Sequence, residues 1–91
     1  MNYKKVMGGK FTTKEENQEM LSSIDDGIEG NVLILTDVTI CNLGVTEINV
    51  IINRGSKIPI DSEEILSLGD LTVKSLVVVE KGSIIKFLGL C

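Results

Sequence analysis

Ninety-one residues allow one domain, and a chain this short hides only roughly 60–68% of its unfolded surface, so it gains stability from a staple or from partners. A net charge of −4 argues against a nucleic-acid binder, which needs a basic surface to neutralise phosphates. Three aromatic residues (Tyr3, Phe11 and Phe87), no Trp and no His exclude a stacking platform, a histidine-dependent nucleophile and the commonest zinc ligand, and they leave an aliphatic core.

The first ten residues, MNYKKVMGGK, show no sustained periodicity and contain Gly8-Gly9; they read as a basic arm carrying Lys4, Lys5 and Lys10 without an acid. Thr12-Thr13 followed by Glu16 resembles a capping box and predicts a short helix over residues 13–23, with Met20, Leu21 and Ile24 as its narrow apolar stripe. Three apolar residues are thin support for a helix so short. The acidic group Asp25-Asp26-Gly27-Ile28-Glu29-Gly30 lacks the ligand spacing of a calcium loop and reads as a solvated turn.

From Asn31 the period changes to two. Over residues 32–42 the even positions Val32, Ile34, Thr36, Val38 and Ile40 share a face, and Asp37 and Thr39 mark the opposite side as the wetter one. Leu43-Gly44 is expected to connect tightly to a strand over residues 45–52, with Ile48, Val50 and Ile52 inward. Asn53-Arg54-Gly55-Ser56 is a stronger turn signal, and Lys57-Ile58-Pro59-Ile60 returns as a strand that Pro59 confines to an edge. After a charged connection come a short strand at residues 65–68 and a turn at Gly69-Asp70. Residues 71–80 and 83–90 follow, β-branched and split by Lys81-Gly82, and are expected to form a hairpin. Ser75 is expected to shift the register so that Leu76 and Val78 point inward, and Ile85, Phe87 and Gly89 alternate with Ile84, Lys86, Leu88 and Leu90.

Short strands at this spacing, without crossover helices, imply an all-β fold: a small antiparallel β-sandwich or jelly-roll-like barrel over residues 31–91, preceded by an arm and one short helix in residues 1–30. Connectivity stays open. The alternation leaves Leu33, Leu35, Ile51, Val77, Val79, Ile84, Leu88 and Leu90 opposite the assigned core, although a sandwich has one dry face per sheet. Either the segment before Asn31 covers them, or they join other subunits, or the register is off by one in places.

No residue is a candidate for catalysis, cofactor binding or metal binding. The carboxylate pairs Glu15/Glu16, Asp25/Asp26 and Glu63/Glu64 sit on charged stretches and lack the burial that tunes an acid/base pair, and no glycine-rich phosphate cradle is present. Cys41 and Cys91 are too few for a disulfide scaffold; with no apolar leader after Met1, a reducing intracellular origin and free thiols are expected. No apolar run approaches the roughly 18–20 residues of a membrane span, so no membrane partner is expected.

The strand ending at residues 40–42, the glycine turn at 53–56, the Ile-Pro-Ile strand at 58–60, the stretch 71–76 and the final stretch 82–89 together resemble the small β-sandwich modules of structural proteins in tailed bacteriophages and phage-like particles. The likeness covers about two thirds of the chain and none of residues 1–30. It implies a virion component that is made in the host cytoplasm, binds other virion proteins and performs no chemistry. Within that class the favoured role is a capsid decoration or head-stabilising protein bound to the major capsid protein. The alternative is a tail, neck or fibre-associated module that could attach to a host-surface glycan. On this reading Lys4, Lys5, Val6, Met7, Lys10 and Phe11 tie the arm to the shell, and the eight surplus aliphatics close a homo-oligomer such as a trimer.

Overall fold

The computed structural model describes residues 5–23 and 33–91. They form eight strands: β1 (Val6–Thr12), β2 (Gln18–Glu19), β3 (Thr36–Asn42), β4 (Ile48–Ile52), β5 (Lys57–Ile60), β6 (Ile65–Ser67), β7 (Leu76–Val78) and β8 (Ile84–Leu90). Two four-stranded sheets result, ordered β1-β8-β3-β6 and β2-β7-β4-β5, and every pairing is antiparallel. The all-β sandwich expected from the period-two pattern is therefore present. Its strand order is that of a jelly roll, in which the chain changes sheet at nearly every step.

Alternation explains most of the packing. Ile48, Val50 and Ile52 of β4, Leu76 and Val78 of β7, and Ile85 and Phe87 of β8 point between the sheets and are buried, with Val38, Ile40, Ile60 and Val73 completing the layer. Asn53 and Arg54 both take a positive φ (50° and 60°), and the Gly55 N–H donates to the Ile52 carbonyl at 2.9 Å, closing the turn that pairs β4 with β5. That hairpin matches expectation, as does the edge position of β5 with its Pro59.

The hairpin expected over residues 71–90 does not form. The strands within residues 71–80 and 83–90 lie in different sheets: β7 pairs with β4 and β2, whereas β8 pairs with β1 and β3, and Val73, ahead of β7, bridges to Leu35. Lys81-Gly82 is a corner. Beside it the chain makes a second crossing between β1 and β2, and Thr13 welds the two. Its hydroxyl donates to the Glu80 carbonyl (2.8 Å) and accepts from the Ser83 N–H (2.8 Å), its N–H donates to the Ser83 carbonyl, and its carbonyl accepts from Gly82. Leu43-Gly44 likewise leads from β3 to the other sheet. There the fully buried Asn42 closes the corner: Nδ2 donates to the carbonyls of Thr46 (2.8 Å) and Ile60 (3.0 Å), and Oδ1 accepts from the Gly44 N–H (2.9 Å).

Among the described residues before Asn31, 5–23, the expected arm and α-helix are replaced by strands and a 3₁₀ turn. Residues 6–12 form the edge strand β1, paired along its whole length with β8, and β2 adds to β7. The capping-box segment instead turns at Asn17 (φ 54°) into β2 and a four-residue 3₁₀ turn, Met20–Ser23, which delivers Met20 and Leu21 into the core. A helix with so narrow an apolar stripe loses to this arrangement, which buries the same two side chains and also completes a sheet. Ile24 and the acidic stretch 25–30 lie outside the described residues.

Candidate interaction face

The outward side of the β1-β8-β3-β6 sheet follows from its register. Antiparallel partners share a face, so Val6, Leu90 and Thr36 form one row, Gly8, Leu88, Thr39 and Ser67 a second, and Lys10, Lys86, Cys41 and Ile65 a third. Thr12, Ile84 and Leu43 continue it, the Leu43 N–H donating to the Ile84 carbonyl at 2.9 Å. This face is greasy: Val6 is 67% exposed, Ile65 61%, Leu43 40% and Leu88 39%. Leu88 stays bare on one flank because its neighbour in the row is Gly8, where a Cβ would overlap the Phe87 carbonyl oxygen.

Within the paired rows its charge is one-sided, with Asp37 exposed at the β3 bulge between Thr36 and Thr39. Lys10 and Lys86 stand directly opposite each other, and among the described residues none of these rows holds a carboxylate. In a chain of net charge −4 that is a local reversal of sign. Between β8, β3 and β6 the face sinks into a groove of about 320 Å³ lined by Thr39, Cys41, Leu43, Ile65, Lys86 and Leu88. Chemically, it offers apolar contact flanked by ammonium groups.

A second, polar cleft of about 530 Å³ lies among Glu19, Asn53, Arg54, Thr72, Lys74 and Ser75. Much of its polarity serves the fold. Asn53 Oδ1 accepts from the N–H groups of Lys74 (2.7 Å) and Ser75 (3.2 Å), its Nδ2 donates to the Thr72 carbonyl (2.8 Å), and Glu19 Oε2 accepts from the Leu76 N–H (2.8 Å). No aromatic side chain lines it. Among the described residues no group of three or more His, Cys, Asp or Glu could hold a metal, and no helix is long and apolar enough to cross a membrane. Cys41 and Cys91 are free thiols.

The eight aliphatics expected to close an oligomer do not make one face. Leu35 is fully buried, because a bulge between Thr36 and Thr39, with Asp37 at φ 53°, reverses the alternation: Leu35 before it and Val38 after it both point inward. Both pack on Gly89, where an added Cβ would lie 3.0 Å from each. Ile34, expected in the core, is 44% exposed for the same reason. Leu33 packs half-buried against the core. Ile51 and Val77 are register partners on the outer side of the β2-β7-β4-β5 sheet, with Val79 two residues on. Ile84, Leu88 and Leu90 belong to the opposite outer face described above.

The residues expected to tie an arm to a shell divide similarly. Lys4 lies outside the described residues, and Lys5 is fixed by paired backbone bonds with Cys91 (2.9 and 3.0 Å). Val6 and Lys10 face outward, whereas Met7 and Phe11 turn inward onto the core, Phe11 stacking on Phe87 with ring centroids 5.3 Å apart. Lys86, Cys41, Leu43 and Ile65 belong to the face but were not among the expected contact residues. The alternation of 84–90 already places Lys86 beside Leu88, but only the pairing of β8 with β3 and β1 brings Cys41 and Lys10 to it.

Comparison of the chain with protein-family models, with curated proteins and with solved structures gives no match.

Proposed function

We propose that this chain is a non-enzymatic structural component of a bacteriophage virion, a capsid decoration protein that docks on the shell through the outer face of its β1-β8-β3-β6 sheet. The observation that carries the reading is that face itself. An apolar groove lined by Lys86, with Lys10 opposite that lysine on β1 and no carboxylate in the paired rows, fits a protein surface that presents an apolar centre and carboxylates around it. The sequence resemblance supplies the virion; the jelly-roll order agrees with it, since such sandwiches recur in viral shells, although the same fold also serves lectins and enzymes.

A glycan-binding role for a tail or fibre module draws less support. The polar cleft has no aromatic platform, and its asparagine closes neighbouring turns.

The test uses empty heads assembled from the major capsid protein of the particle whose genome encodes this chain. Purified protein should sediment with the heads and raise the temperature at which they break, and the double variant Lys10→Glu/Lys86→Glu should do neither. Sedimentation with isolated tails and not with heads would favour the alternative, and association with neither would overturn both.

A further inference from the structure

Each sheet has two edges, and three of the four are closed to a further strand. β2 is two residues long and β6 three. β5 carries Pro59 opposite Asn49, whose own N–H and carbonyl are used on the β7 side (by Glu80 Oε1 and the Val79 N–H), so the nitrogen without a proton lies on the free edge. The remaining edge, β1, is seven residues long and has no such device along its backbone.

Its free groups can be assigned. Lys5 exchanges both backbone bonds with Cys91, and the Thr13 N–H donates to the Ser83 carbonyl, with an unbroken register between them. In an antiparallel ladder bonded residues alternate with non-bonded ones, so Met7, Gly9 and Phe11 bond inward to β8 and Val6, Gly8, Lys10 and Thr12 direct their N–H and C=O groups outward.

We infer that β1 is the site of self-association, pairing antiparallel with β1 of a second copy about a two-fold axis through Gly9. The occupant follows from the strand's own complementarity. In this register Val6 meets the partner's Thr12 and Gly8 meets the partner's Lys10, and each such pair exchanges both hydrogen bonds, so all four outward-directed residues are satisfied. On the inner side Met7 meets the partner's Phe11, and these are the two half-buried core residues that β1 contributes. On the outer side each Lys10 faces a glycine rather than another ammonium. The same patch serves both copies, as a closed dimer requires. The two sheets become one eight-stranded sheet, and the two lysine-bordered faces lie side by side. The dimer does not depend on the virion reading: a dimer that ignores heads would sink that reading and leave this one intact.

Two measurements on the full chain decide it. Light scattering should give a concentration-dependent dimer, and Lys10→Pro, which removes one outward N–H and no bond to β8, should weaken it about tenfold or more while the circular dichroism of the fold persists. A dimer untouched by this substitution, or a monomer at high micromolar concentration, overturns the inference. Amide exchange provides the second readout and does not depend on the variant folding. Val6, Gly8, Lys10 and Thr12 should be protected in proportion to protein concentration. Fast exchange at every concentration, or protection that ignores concentration because the chain covers its own edge, would overturn it.

Discussion

The two sheets treat their outer sides differently. On the β2-β7-β4-β5 sheet, carboxylates bond to the chain itself: Glu19 Oε2 accepts from the Leu76 N–H, and Glu80 holds Asn49 twice, through its backbone N–H (2.6 Å) and its Nδ2 (3.0 Å). On the β1-β8-β3-β6 sheet, the ladder rows carry two lysines and no carboxylate around exposed Val6, Ile65 and Leu88. One side spends its charge on its own fold and the other leaves charge and apolar area for a neighbour. Substitutions on the first should therefore act on stability, and substitutions on the second on association.

The largest effect should come from the point where the two sheets are joined. Asn42→Leu leaves the carbonyls of Thr46 and Ile60 and the Gly44 N–H without their partner inside the corner, and should cost about 3–5 kcal/mol in denaturant unfolding, lowering both sheets together. Glu80→Ala comes next, at about 2–3 kcal/mol, because two groups of Asn49 lose a charged acceptor; Glu80→Gln, which keeps an acceptor for the backbone N–H, should lose less than half as much. Glu19→Ala, with one short bond to Leu76 and a longer one to Leu21, should cost about 1–2 kcal/mol. None of the last three variants should weaken head binding in sedimentation at temperatures where they remain folded. If Glu80→Ala or Glu19→Ala abolished it at such temperatures, the division of labour between the sheets would be wrong.

The same contrast explains what could be read from the sequence. Strand content, the inward sets of β4, β7 and β8, the turn at Asn53-Arg54 and the edge role of Pro59 are local properties, each written in alternation or turn chemistry within a few residues. Sheet membership is not local. Lys81-Gly82 suits a hairpin, but its corner is decided by Thr13, some seventy positions earlier, and Leu43-Gly44 is decided by the buried amide of Asn42 reaching Ile60. The bulge at Asp37 was invisible for a different reason. Asp can adopt a positive φ, but nothing in the sequence requires it there, and one extra residue moved Leu35 from the surface to the core. The interaction face was legible only along β8, because its other members come from strands whose pairing the pattern does not fix.

The smallest expected effect is also the one whose sign separates the two sheets most cleanly. Lys10 and Lys86 are directly opposed, and since the bonded pairs of this ladder fall at odd positions of β1, theirs is the non-bonded kind, in which side chains approach more closely. Like charges so placed destabilise the free protein. Lys86→Glu turns the pair into an attraction and should raise stability by roughly 0.5–1 kcal/mol, a gain of about 2–6 °C in melting temperature for a domain of this size. The gain should shrink as salt is added, since both groups are exposed and screened. The same substitution should weaken head binding, because it places a carboxylate where the groove meets its partner. A residue kept only for the fold would not show stability and association moving in opposite directions. A fall in melting temperature with Lys86→Glu would mean that the lysine pair is already neutralised within the chain, and that this face resembles the other one after all.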